Sequence, residues 1–132
     1  MTRKLPALTL DNSAFWQGGA KGELRMHHCG ACVQFFHPPA PVCPRCLGED
    51  VAPKTVSGAG KVLTCTVNYQ PWRADLKEPY VVAIVELVEQ AGLRFVTNIV
   101  GMPPDEVFIG LPVQVRFEQH EDVWLPLFER AA

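Results

Sequence analysis

Residues 29–46 read CGACVQFFHPPAPVCPRC, and this stretch decides the fold. It holds four of the chain's five cysteines, as two Cys-x-x-Cys pairs on either side of a ten-residue spacer. Four thiolates about 2.3 Å from a metal ion must sit at tetrahedral corners. One Cys-x-x-Cys turn brings two sulfurs to one side of a metal, and a second turn across a hairpin completes the set. Gly30 and Pro44 suit the tight turns this needs. The stretch carries four prolines and too few apolar residues for a core of its own, so a metal has to supply its folding energy. Cys29, Cys32, Cys43 and Cys46 are therefore read as metal ligands, with structural Zn2+ as the expected ion. Iron is the alternative that the same donors accept. Four protein thiolates leave no coordination position for water, so the site is structural rather than catalytic. A thioredoxin-type redox role needs one pair at a helix N-terminus, not two facing pairs.

The rest of the chain sets the limits around this segment. A length of 132 residues fits one domain, or a small module joined to a compact one. Hydrophobic residues make up 48%, which allows a real core. Twelve prolines favour short strands and turns over long helices. The formal net charge is −2, and only Arg3 and Lys4 are adjacent basic residues, which is not the footprint of a nucleic-acid-gripping protein. No apolar run approaches the roughly 20 residues that span a bilayer. The start, MTRKLPALTLDN, is broken by Pro6 and does not read as a signal peptide. A cytoplasmic protein without a membrane segment is the expectation, and a reducing compartment favours metal over disulfides.

Three regions follow. Residues 1–22 form an arm with a short helix: Asp11 or Asn12 can cap it, Phe15 and Trp16 follow, and Gly18-Gly19 stops it. Residues 23–50 hold the metal segment. Residues 51–132 read as strands of a small five-stranded β-barrel. In GKVLTCTVNY, Leu63, Cys65 and Val67 fall on one face and Val62, Thr64 and Thr66 on the other. YVVAIVELVE and LRFVTNIVG form a hairpin around a QAG turn, PVQVRFEQ alternates again, and VWLPLFER closes the chain.

Other chemistry-bearing residues read more plainly. With the quartet complete, His27 and His28 end a strand beside it. His37 lies among prolines and His120 in a polar turn, neither near a nucleophile in sequence. Cys65 alternates with apolar neighbours and reads as buried. Gly58 and Gly60 resemble part of a phosphate loop, but a strand follows them where a helix would be required. The acidic pairs Asp105-Glu106 and Glu121-Asp122 read as solvated loops. Phe15 and Trp16, with the VWLPLF stretch at 123–128, either seal the barrel ends or anchor a partner. The same choice holds for the stiff edge made by Phe35, Phe36, Pro38 and Pro39.

The order FWQGGAKGEL, CGACVQFFHPPAPVCPRC, SGAGKVLTCTV, PYVVAIVELVE, IGLPVQVRFE and LPLFER resembles the DUF35 family over nearly the whole chain. That resemblance implies a short N-terminal helix, a rubredoxin-like zinc ribbon and a C-terminal OB-fold, with Cys29, Cys32, Cys43 and Cys46 at the metal positions. It also implies a non-catalytic accessory subunit bound to a thiolase-like or lipid-transfer-type aldolase enzyme, with a coenzyme A thioester as shared ligand. The family carries no sharp CoA motif. Arg25, Arg45, Lys61, Arg73 and Arg94 are the candidate phosphate contacts. A zinc-ribbon and OB-fold nucleic-acid module is the competing reading, opposed by the charge and by the scatter of Tyr69, Tyr80, Phe95 and Phe117.

Overall fold

A computed structural model describes residues 3–74 and 77–132. The chain starts as an extended arm that leads into a five-residue helix, α1 (Ser13–Gln17), and then a 3-10 turn (Gly18–Lys21). Asn12 organises this start by accepting from Thr9 N–H at 2.7 Å and donating to Ala7 C=O at 3.1 Å. So short a helix is not stable alone. It holds because Phe15 is buried edge-on against Phe95, with ring centroids 5.7 Å apart. The following turn sits close on the last two strands: a Cβ at Gly19 would fall 2.4 Å from Trp124 Cβ. The arm's aromatics and the 123–128 stretch thus seal the barrel.

Three strands make the smaller sheet in the order β2-β1-β3: β1 (Leu24–Cys29), β2 (Gln34–Phe36) and β3 (Val51–Val56). All pairings are antiparallel, and β3 runs along the whole of β1 from Leu24↔Val56 to Cys29↔Val51. Residues 51–56, expected in the barrel, are therefore hydrogen-bonded to the metal-segment strands. Their weak alternation reflects this placement, because residues 52–55 are all exposed.

The remaining strands are β4 (Ala59–Asn68), β5 (Tyr80–Leu87), β6 (Arg94–Val100), β7 (Pro112–His120) and β8 (Val123–Arg130). They close a barrel in the order β4-β5-β6-β8-β7. Successive pairs are antiparallel except β6 with β8, which is parallel. A barrel with this order and one parallel pair is the OB architecture. Period-two alternation aims Val81, Ala83, Val85 and Leu87 of β5, and Phe95, Thr97 and Ile99 of β6, at the core. Phe128 of β8 is fully buried there. In β4 the register shifts between Val62 and Thr64. The bulge turns Val62 inward together with Cys65 and Val67, so the simple alternation expected for this strand breaks at its third residue pair. Gly60 leads into β4 as a close-approach residue, since a Cβ would lie 2.6 Å from the Glu86 carbonyl oxygen. Among the described residues no helix is long and apolar enough to cross a membrane.

Candidate functional site

Two features carry chemistry: the cysteine quartet and a groove on the barrel. β1 delivers Cys29 at its last residue, the following turn delivers Cys32, and a second turn presents Cys43 and Cys46. All four Sγ atoms lie within 4.8 Å of one another, with Cys29–Cys46 at 3.8 Å and Cys32–Cys43 at 3.9 Å. A tetrahedron with metal–sulfur bonds of about 2.3 Å has edges of roughly 3.8 Å, so the quartet is already at ligating geometry. Backbone N–H groups support it: Cys32 donates to Cys29 Sγ, Arg45 to Cys43 Sγ and Gly48 to Cys46 Sγ, each at 3.4 Å. Such donors stabilise thiolate charge. Backbone N–H groups of Cys46 and Arg45 draw the Cys43 thiol down to about 7. Hydrogen bonding with Cys46, then burial and the other thiols, pushes Cys32 up to about 12. Four crowded thiols cannot all ionise without a cation between them. The quartet therefore fits a closed, four-sulfur metal site. His27 packs on Phe36 and His28 on Phe35, both outside the quartet, as the sequence suggested.

The groove opens where the barrel fails to zip. β6 and β8 pair at two positions, Ile99↔Phe128 and Val100↔Glu129. Upstream, β8 carries Pro126, which has no N–H to offer the seam. Its carbonyl accepts instead from the Thr97 hydroxyl at 2.8 Å. A side chain thus replaces a ladder bond, and the strands splay. Between them lies a groove of about 1720 Å³, lined by β6 from Arg94 to Val100 and by Leu125–Leu127. Its ribbon end is walled by Phe15, Trp16, His37 and Pro38, and its far end by Arg73, Ala74 and residues 77–80. Over six residue steps β6 spans roughly 20 Å.

Among the described residues, Arg3, Lys4, Arg73, Lys77 and Arg94 line the groove together with Glu78. Of the five cations expected as phosphate contacts, Arg73 and Arg94 both line the groove. Arg25, Arg45 and Lys61 do not line it. Arg25 is paired with Glu23 at 2.7 Å, Arg45 donates to Gln34 at 3.0 Å and Lys61 lies 3.9 Å from Glu86. Sequence reasoning missed Arg3, Lys4 and Lys77 as groove residues. The adjacent Arg3-Lys4 pair was visible, but nothing in the sequence folds the arm back onto β6. Arg3 pins it there by donating to Glu118 at 2.8 Å and to Asn98 at 3.2 Å. His120 Nε2 lies 2.5 Å from the same Glu118 oxygen, and His120 and Arg3 together hold that carboxyl below its ordinary range. In the aromatic wall, His37 sits 4.9 Å from Phe15 and 5.5 Å from Phe95 between ring centroids. Burial, aided by the nearby His27, brings its imidazole down to about 4. Its Nδ1 is buried without a hydrogen-bond partner, as is that of His27.

Comparison with known proteins gives the lineage. Residues 16–52 match the family described as ChsH2, rubredoxin-like zinc ribbon domain, and residues 54–118 match ChsH2, C-terminal OB-fold domain. The chain is 38% identical over 130 residues to the probable enoyl-CoA hydratase alpha subunit of Thermomonospora curvata, covering 98% of this chain and 40% of that protein. It is 35% identical over 94 residues to the DUF35 domain-containing scaffold protein of Methanothermobacter thermautotrophicus, covering 69% of this chain and 68% of the relative. A chain of the solved Ltp2-ChsH2(DUF35) aldolase superposes with a TM-score of 0.82 at 40% identity, covering 97% of this chain and 100% of the other. With a four-cysteine ribbon and an OB-fold in the same order as these relatives, the chain belongs to the DUF35 family.

Proposed function

We propose that this chain is an accessory subunit of an acyl-CoA-processing enzyme of lipid metabolism, a lipid-transfer-type aldolase or a thiolase-like relative. In this reading the partner supplies the reacting groups. The observation that carries the proposal is the end-to-end similarity to a chain of the Ltp2-ChsH2(DUF35) aldolase. The ribbon holds a structural Zn2+ on Cys29, Cys32, Cys43 and Cys46 and keeps β1–β3 folded against the barrel. The seam groove takes part of the coenzyme A thioester. An apolar floor suits the pantetheine arm and acyl group, and the lining cations suit the phosphates. Arg73 and Lys77 replace the wider set of phosphate contacts expected from sequence, while Arg94 lies beside Phe95 at the opposite end of β6.

The test is reconstitution. The purified chain is mixed with an Ltp2-type aldolase from the same host and followed by size-exclusion chromatography with light scattering. A stable hetero-oligomer whose acyl-CoA cleavage needs both chains is the expected result. Two chains that elute separately, with full activity in the aldolase alone, would sink the proposal.

A further inference from the structure

Tyr69 and Trp72, in the segment between β4 and β5, are 68% and 71% exposed. Single exposed aromatics are common and call for no explanation. Trp72 differs in being held. Its indole N–H donates to Asn68 Oδ1 at 2.8 Å, and the Asn68 amide in turn donates to the Gln70 carbonyl at 2.8 Å. Asn68 is the last residue of β4, so a rigid strand end fixes the orientation of an exposed ring. Ordering a side chain in water costs conformational entropy, and an ordered, exposed ring is pre-organised for something that covers it. Arg73 follows Trp72 directly, and Arg73 and Lys77 both line the far end of the groove.

We infer that Trp72 is the stacking platform for the adenine ring of a coenzyme A thioester, with Arg73 and Lys77 taking the phosphates at the mouth of the groove. The inference rests on the acyl-CoA reading above and adds a direction to it. The nucleotide lies at the Trp72 end, and the pantetheine arm runs along β6 toward the aromatic wall of Phe15, Trp16 and His37. A strand of roughly 20 Å matches the reach of an extended pantetheine arm. Every base has a π-face, so the stacking itself does not select adenine. Selection comes from the pairing of one aromatic with phosphate-binding cations beside an apolar channel.

Binding of coenzyme A, 3'-dephospho-coenzyme A and 4'-phosphopantetheine to the full-length zinc-loaded chain tests this. Titration calorimetry and tryptophan fluorescence would both be read. Trp72→Ala should weaken coenzyme A by about 5- to 150-fold, the range for loss of one stacked base. It should leave 4'-phosphopantetheine unchanged, because that ligand has no base. Trp72→Phe should restore most of the affinity while removing the Trp72 share of the fluorescence quenching. Lys77→Ala should narrow the preference for coenzyme A over its dephospho form. Circular dichroism of each variant controls for folding. If Trp72→Ala binds coenzyme A as the parent does, the platform is wrong and the acyl-CoA reading stands. The platform is equally wrong if that variant loses only the enzyme partner. If no coenzyme A species binds the parent chain, alone or in complex with its aldolase, both readings fall.

Discussion

The ribbon and the barrel reach stability by different means. The barrel's buried cluster extends from Phe15 to Phe128 and takes in Leu24, Met26 and Val56 at the barrel end of β1 and β3. Its members are apolar side chains, each contributing about 1.5–3 kcal/mol when fully buried. The ribbon's buried cluster is Cys29, Phe36 and Cys43, with Cys32, Ala40 and Val51 packed around it. Two of its three members belong to the cysteine quartet placed to bind a metal. A region without a core depends on a bond that water cannot replace, whereas a region with one tolerates local loss. The largest effect should therefore come from the smallest region. Cys43→Ser removes one of four thiolates from the quartet, and structural zinc in small domains contributes on the order of 10 kcal/mol or more. Metal analysis should show less than one ion per chain. Hydrogen exchange should show lost protection in residues 29–51 with β5 and β6 still protected. Retained protection at Cys29 and Val51 would mean that the shared core at Leu24, Met26 and Val56 holds the whole ribbon sheet without the metal.

Breaking the barrel should give the mirror result. Phe128 is fully buried and lies 5.7 Å from Phe95 between ring centroids. Phe128→Ala should cost about 3–5 kcal/mol, since the closed barrel wall can collapse only partly into the space. That corresponds to a fall in melting temperature of roughly 10–20 °C. Stoichiometric zinc in the folded variant would show that the ribbon's bond does not depend on full barrel stability. Zinc lost in proportion to the melting temperature would show one cooperative unit instead.

Between the two regions stands His37, and pH reaches it selectively. Its folded pKa is about 4, lowered from 6.5 chiefly by burial against Phe15 and Phe95. The unfolded chain takes up the proton first as pH falls. The neutral ring's contribution is thus complete above about 6.5 and is lost progressively toward 4, by at most about 3 kcal/mol. Urea midpoints of the parent and His37→Asn should converge as pH falls from 7 to 4.5. The acid sensitivity of the thiolates is common to both proteins and cancels. Parallel curves would mean that His37 is solvated in the folded state.

How much of this was legible in the sequence follows from the range of the interactions involved. The quartet is local: eighteen residues contain all four ligands, and spacing alone states the geometry. The strands of the barrel are local too, because alternation at 81–87 and 94–100 needs no partner to be seen. The allocation of 51–56 was not legible, since a strand exposed along its middle carries no signal for either sheet. The bulge at Val62 is a property of pairing with β5, not of β4 itself. The groove is the most remote feature. It depends on Pro126 meeting Thr97 across 29 positions and on Arg3 reaching Glu118 across 115. No window of the sequence contains either meeting, and so Arg3, Lys4 and Lys77 were not placed together.

The smallest predicted effect tests whether the two regions are separate at all. β2 is three residues long, and its alternation divides it: Phe36 packs into the cysteine cluster while Phe35 packs against the barrel core. Gln90, in the turn between β5 and β6, clasps that strand from the barrel side. Its Oε1 accepts from Phe35 N–H at 2.8 Å and its Nε2 donates to the Phe35 carbonyl at 3.0 Å. A side chain here does what a neighbouring strand would do, for one residue. Gln90→Ala should cost about 1–2 kcal/mol, because it leaves two partly buried backbone groups without their partner. The informative measurement is the rate at which a chelator strips zinc. If the clasp couples the regions, the variant should release its metal several-fold faster while the barrel's melting temperature moves by only a few degrees. If the rate is unchanged, the clasp does not carry the coupling, and Leu24, Met26 and Val56 in the shared core do.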